Sequence, residues 1–229
     1  MLIIDNLNKY WHNGTVALED ITFNAAPNSI VALIGPSGSG KSTLLRIIAK
    51  LASYDEGKIL YPDKASIGMV FQSPSLWPHL TLIENVALPL RVILGKTDVE
   101  SKETALDVLS EWGLQERLHA YPAELSGGQQ QRGAFARALV MNPTILCLDE
   151  VTSALDPVLS AIIFRKIASL KQLNTITLIA THHLGFAKKY ADYIIYLERG
   201  RIIESGQATE ILSNPQSCKL QEFVMAAEL

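Results

Sequence analysis

Eight residues, Gly35-Pro-Ser-Gly-Ser-Gly-Lys-Ser42, constrain this chain more than any other stretch of it. They follow Ser29-Ile-Val-Ala-Leu-Ile34, a continuous apolar run that reads as a strand buried on both faces. They precede Lys41-Ser-Thr-Leu-Leu-Arg-Ile-Ile-Ala-Lys50, where Leu44, Leu45 and Ile48 share one helical face. The loop thus matches G-x-x-x-x-G-K-[ST] in the strand–loop–helix setting that motif requires. By composition alone the pattern would turn up by chance on the order of once in a hundred chains of this length, and the setting makes chance rarer still. Its glycines allow a tight turn in which successive N–H groups converge on phosphate oxygens, and the helix adds its positive end. Gly35, Pro36, Ser37, Gly38, Ser39 and Gly40 form the cradle, with Thr43 at the helix start. Lys41 is the group to reach the outer phosphates, and Ser42 the hydroxyl to ligate Mg²⁺.

Further buried strands are expected at Thr144–Leu148, Thr175–Ala180 and Tyr193–Leu197, separated by helical patterns. Such alternation predicts an α/β fold with a mostly parallel sheet covered on both faces. The first 28 residues alternate in the manner of a small antiparallel β region. The middle differs. Thr97 or Asp98 can cap a helix carrying Ala105, Leu106, Leu109 and Trp112 on one face, and Gly113 can stop it. Leu114–Ala123 continues helix-like and breaks at Pro122. The chain therefore reads as one domain, 1–229, with a core of 1–87 and 135–229 and a helical subdomain inserted at 88–134.

Composition excludes several classes. A net charge of −3 and a pI near 6.0 leave no basic footprint for nucleic acid. Two distant cysteines, Cys147 and Cys218, do not make a disulfide framework, which points to the cytosol. The N-terminus lacks the pattern of a signal peptide, and no apolar run approaches a membrane span, so a membrane role requires separate partner subunits.

A second motif narrows the field. In Leu125-Ser-Gly-Gly-Gln129, Ser126 and Gln129 have the spacing of a capping box ahead of a helical run. That is a structural reading, but a capped start with Gly127 and Gly128 also presents free N–H donors to a phosphate. Together with the phosphate loop, this stretch resembles the signature of the ABC ATPases. The resemblance extends over nearly the whole chain, in the family's order. Thr144–Glu150 is similar to the Walker B strand with its terminal carboxylates Asp149 and Glu150, and Ser153-Ala-Leu-Asp156 to the D-loop. Gln72 after Met69-Val-Phe71 resembles the Q-loop glutamine, and His182 the switch histidine. Trp11 resembles the aromatic that stacks on adenine, a role that neighbouring Tyr10 could also take.

The resemblance implies ATP hydrolysis with Mg²⁺ as cofactor. Glu150 would act as general base, with His182 holding it and touching the γ-phosphate. Ser42, Gln72 and Asp149 would serve the metal. Ser126, Gly127, Gly128 and Gln129 would meet the ATP of a second subunit, in a homodimer or with a paired ABC subunit. It also implies separate transmembrane permease subunits, peripheral placement on the cytoplasmic face of the membrane, and a solute-binding protein in the full system. Ser73–Leu90 resembles the segment that receives a permease's coupling helix. Three departures stand out: Val151 where proline is frequent, Gly133-Ala-Phe135 in place of an aliphatic stretch, and His183 where an acidic residue is frequent. None removes a catalytic group.

The segment from Glu210 to Phe223 is similar to the tails of polar amino-acid importer ATPases, and the extra C-terminal domain of the sugar importers is not seen. Amino-acid import is therefore the expected task. A mechanotransmission ATPase, pulling on envelope partners without moving a substrate, shares every motif. Chromosome-maintenance and translation ATPases share the signature too, but the stretch from Gly35 to Ser126 has no room for their long coiled coil, and there is one cassette.

Overall fold

The computed structural model describes residues 1–12, 14–153 and 155–227. Among these, the strands form two sheets. The smaller is antiparallel: β1 (Leu2–Tyr10) lies between β2 (Val16–Ala25) and β4 (Glu56–Leu60). This is the antiparallel region expected near the N-terminus, with a third strand that arrives from beyond the phosphate loop. The larger sheet has the order β5-β6-β7-β3-β8-β9. Its parallel strands are β3 (Ile30–Ile34), β5 (Ile67–Val70), β6 (Ile145–Asp149), β7 (Ile176–Ala180) and β8 (Tyr193–Glu198). Edge strand β9 (Arg201–Gln207) alone runs antiparallel, paired to β8 by a tight turn. The fold is the expected α/β type.

The continuous apolar runs are explained by what covers each face. On β3, Val31 and Leu33 face a core shared with the small sheet and with Leu44, Leu45 and Ile48 of α1 (Lys41–Ile48). Ile30, Ala32 and Ile34 face a second core, shared with the helices. Because side chains alternate across a strand, burial on both faces demands an apolar residue at every position.

The helical layer comprises α2 (Leu82–Leu94), α3 (Asp98–Glu111) and α4 (Gly127–Leu139). Residues 88 and 134, the expected limits of the insertion, lie inside α2 and α4. Thr97 caps α3 through a complete capping box with Glu100, and Gly113 follows its end at φ +65°. Two expectations fail here. Leu106 does not join the buried face of α3 but is 39% exposed. Leu114–Ala123 forms only 3₁₀ turns at Gln115–Arg117 and Pro122–Glu124; between them Tyr121 is extended, as the residue before a proline is disposed to be, and Pro122 opens the second turn. The unusual Gly133-Ala-Phe135 stretch of α4 has a packing reason. A Cβ on Gly133 would lie 2.6 Å from Leu82 Cδ1, so α2 and α4 approach closely there. Phe135 is fully buried, its ring stacked on Trp112 at 4.9 Å.

The remaining helices are α5 (Pro157–Ser169), α6 (Leu184–Tyr190), α7 (Ala208–Ile211) and α8 (Cys218–Ala227). Among the described residues no helix is long and apolar enough to cross a membrane.

Phe135 and Leu106 make a contrast that urea denaturation reads directly. Phe135→Ala empties a filled core site and should cost about 3–5 kcal/mol. Leu106→Ala should stay within about 0.5 kcal/mol. Equal losses would contradict this packing.

Candidate functional site

Parallel pairing places the C-terminal ends of neighbouring strands on one edge of the sheet, where α/β proteins bind ligands. Here β3 ends into Gly35, β5 into Phe71 and Gln72, β6 at Asp149 and Glu150, and β7 into Thr181 and His182. Since these four strands are adjacent in the order β5-β6-β7-β3, residues far apart in sequence share one edge.

The glycine loop sits on this edge under tight steric limits. Gly35 has φ +142°, and a Cβ there would fall 2.0 Å from the backbone oxygen of Leu197. Gly40, at φ +107°, would place one 2.8 Å from Ala17 O. No other residue fits either position without moving backbone. The loop borders an open cleft of about 520 Å³ lined by Trp11, Thr15, Val16, Ala17, Ser37, Gly38, Ser39, Gly40, Lys41, Ser42, Thr43, Gln72 and Glu150. Trp11, 45% exposed, lines it; Tyr10 does not, and instead donates its N–H to Asp55.

Each charged group of the site has a partner within the protein. Lys41 Nζ donates to Gly35 O at 2.8 Å and Pro36 O at 2.9 Å. Burial pushes the Lys41 ammonium below its ordinary pKa, while the carboxylates of Glu150 and Asp149 draw it back up. Ser42 Oγ donates to Asp149 Oδ1 at 2.7 Å. Glu150 Oε1 and His182 Nε2 lie 2.7 Å apart. Glu150 has φ +48°, a strained backbone for a non-glycine residue, and its N–H is held by Ala180 O at 3.0 Å. Gln72 Nε2 donates to Ser153 Oγ at 3.3 Å.

Sequence-predicted residues thus divide into two groups. Ser37, Gly38, Ser39, Gly40, Lys41, Ser42 and Thr43 share the cleft with Trp11, Gln72 and Glu150; Asp149 joins through Ser42 and His182 through Glu150, while Gly35 and Pro36 do not line it and lend their carbonyls to Lys41. Ser126, Gly127, Gly128 and Gln129 do not line it. They form the start of α4, where Ser126 Oγ accepts from the Gln129 N–H and the Gln129 side chain accepts from the Ser126 N–H. Of the expected D-loop, Asp156 caps α5 by accepting from the Leu159 N–H at 2.9 Å; Ala154 lies outside the described residues. His183 sits beside His182 but packs its ring edge-on to Phe164 at 5.4 Å. Val151 is buried in the helical core. Thr15, Val16 and Ala17 were not foreseen in the cleft; the Gly14 turn just after Trp11 was the available signal.

A glycine loop ending a parallel strand, a buried lysine and a strand-end carboxylate on the following serine define a phosphate-loop nucleotide-binding protein. Comparison with known proteins narrows the class. The ABC transporter family model matches residues 18–153. The glutamine transport ATP-binding protein GlnQ of Escherichia coli (strain K12) is 42% identical, over 98% of this chain and 98% of its own. The glutamate transport ATP-binding protein GluA of Corynebacterium efficiens is 41% identical, over 91% of each chain. A solved ATP-binding cassette, described as a dimer in a post-hydrolysis state bound to ADP and Pi, superposes with a TM-score of 0.83. It is 33% identical and covers 92% of this chain and 100% of its own. The chain belongs to the ABC transporter family, and it is an ATPase of that family.

Lys41→Ala should weaken ATP binding at least about tenfold in calorimetry, the loss of a charge-assisted phosphate contact. Unchanged affinity would remove Lys41 from the site.

Proposed function

We propose that the chain is the ATP-hydrolysing subunit of a polar amino-acid importer. The observation that carries the hydrolytic reading is the Glu150–His182 pair, held on the same sheet edge as the Gly35–Ser42 loop. The substrate class rests on relatives named for glutamine and glutamate transport. Those names speak of transport, and nothing favours a mechanotransmission role over it.

The chain's own groups divide the work. Adenine stacks on Trp11, which stands at the mouth of the cleft. The loop N–H groups and the α1 N-terminus receive the phosphates. Lys41 turns from the carbonyls of Gly35 and Pro36 to the β- and γ-phosphate oxygens, one set of acceptors replacing another. Ser42, Asp149 and Gln72 offer hydroxyl, carboxylate and amide oxygens, a hard-donor set that fits Mg²⁺. Mg²⁺, when bound, supplies positive charge to the phosphate oxygens. Glu150 orients a water for in-line attack and takes its proton, as the bond between the γ-phosphorus and the bridging oxygen breaks. His182 fixes the carboxylate and contacts the γ-phosphate. ADP and inorganic phosphate are the products.

Ser126–Gln129 do not line the cleft of their own chain, which supports their use on the ATP of a second subunit. ATP then lies in a dimer interface, and its hydrolysis weakens that interface. The helical subdomain, taken as 88–134, carries the signature. Separate permease subunits cross the membrane, a solute-binding protein delivers the amino acid, and this chain acts at the cytoplasmic face.

Glu150→Gln keeps the side-chain shape and removes the base. Turnover should fall about a hundredfold or more with ATP binding retained, and sedimentation should show an ATP-dependent dimer that ADP does not support. Near-normal turnover would exclude Glu150 as the base.

A further inference from the structure

The segment that carries Gln72 leaves β5, crosses the surface and enters α2. Three side chains hold it, and two of them belong to α4. Gln131, 2% exposed, donates Nε2 to Phe71 O at 3.3 Å, on the residue just before Gln72. Arg137 donates Nη1 to Ser75 O at 2.9 Å and Nη2 to Pro74 O at 3.4 Å, just after it. The Arg137 guanidinium also lies over the Trp77 ring at 4.6 Å. The third holder, fully buried Asn85 of α2, accepts from the Trp77 N–H at 2.8 Å and donates to Leu80 O and Thr81 O at 3.0 Å.

Both α4 contacts are made by groups suited to rigid holding. Arginine's planar fork loses little freedom per bond, and stacking on Trp77 fixes its plane. An arginine donating to two successive backbone carbonyls can register a loop without any carboxylate partner. The helix that does this begins at Ser126, so one rigid rod bears the signature at its first turn and the clasp further along. Gln72 is exposed, and among the described residues its side chain makes one long bond, to Ser153 Oγ at 3.3 Å. The backbone on either side of it is held, at Phe71 and at Pro74 and Ser75, while its amide has only that long bond.

We propose that Arg137 and Gln131 are positioning residues that clamp the Gln72 segment to the signature helix and so fix where Gln72 stands at the cleft. The proposal rests on the ATPase reading above. Neither residue lines the cleft; each acts through the placing of Gln72.

A double-mutant cycle on the full chain tests this. Arg137→Met should lower kcat about tenfold or more, in line with displacement of a positioned group, while the ATP dissociation constant stays within about twofold because the phosphate loop is untouched. Arg137→Lys, which keeps a charge over Trp77 and loses the fork, should recover part of the rate. In a Gln72→Ala background, Arg137→Met should change kcat by less than about twofold, since the group it positions is gone. Should Arg137→Met not fold, Gln131→Leu, which removes only the bond to Phe71, serves in the same cycle. A full, independent loss in the Gln72→Ala background, or turnover that Glu150→Gln removes but Arg137→Met leaves intact, would overturn the clamp alone. Turnover that survives Glu150→Gln would overturn the ATPase reading instead.

Discussion

Parallel hydrogen bonding among β5, β6, β7 and β3 is the constraint on which the site depends. It sets Leu33 and Asp149 both opposite Ala180, so that the chain leaves β3, β6 and β7 at nearly one level. Gly35, Glu150 and His182 follow within a residue or two of those positions. A slip of one residue in β6 would turn Asp149 to the other face and separate it from Ser42. The apolar cores on both faces of the sheet make such a slip costly. Stability and site geometry therefore have the same origin.

Within that frame the site is electrostatically balanced. A buried lysine beside two carboxylates would be unfavourable if left unpaired. Each group instead has a partner in the protein: carbonyls for Lys41, Ser42 for Asp149, His182 for Glu150. These partners are exchangeable, because a phosphate offers Lys41 the acceptors it now takes from the loop. Gly35 and Gly40 leave the loop little freedom to close on anything smaller, since both sit against backbone oxygens of other segments. Glu150 shows the same economy of motion. Its left-handed backbone aims a carboxylate off the end of a strand without lengthening the turn.

Much of this was legible in the sequence, for physical reasons. Strands buried on both faces give unbroken apolar runs, so β3, β6, β7 and β8 were visible to within a residue or two at each end. The capping box at Ser126 is local chemistry and reads directly, whereas at the start of α3 the sequence left Thr97 or Asp98 as the cap and the structure uses Thr97 with Glu100. The pairing of Glu150 with His182 is not local. It follows from strand order, which the motif sequence implies only through family resemblance. Leu106 was misread because helical spacing alone cannot say how wide the buried stripe is. The break at Pro122 was foreseen, but Leu114 and Leu118 at helical spacing do not make a helix in so short a stretch, which Tyr121 ends by turning extended before the proline. Arg137 and Gln131 carried no signal at all: their partners are backbone carbonyls, which any residue offers.

In the proposed function one chain holds only half of each hydrolytic site, with the phosphate loop on one subunit and the signature on the other. Mixing two inactive chains tests it most directly. Lys41→Ala disables the loop and leaves Ser126 intact; Ser126→Arg blocks the signature and leaves Lys41 intact. The mixed dimer would hold one whole site, built from the second chain's loop and the first chain's signature. The account predicts that ATPase activity, absent from either chain alone, appears on mixing. A mixture as inactive as its components, although heterodimer forms, would contradict it.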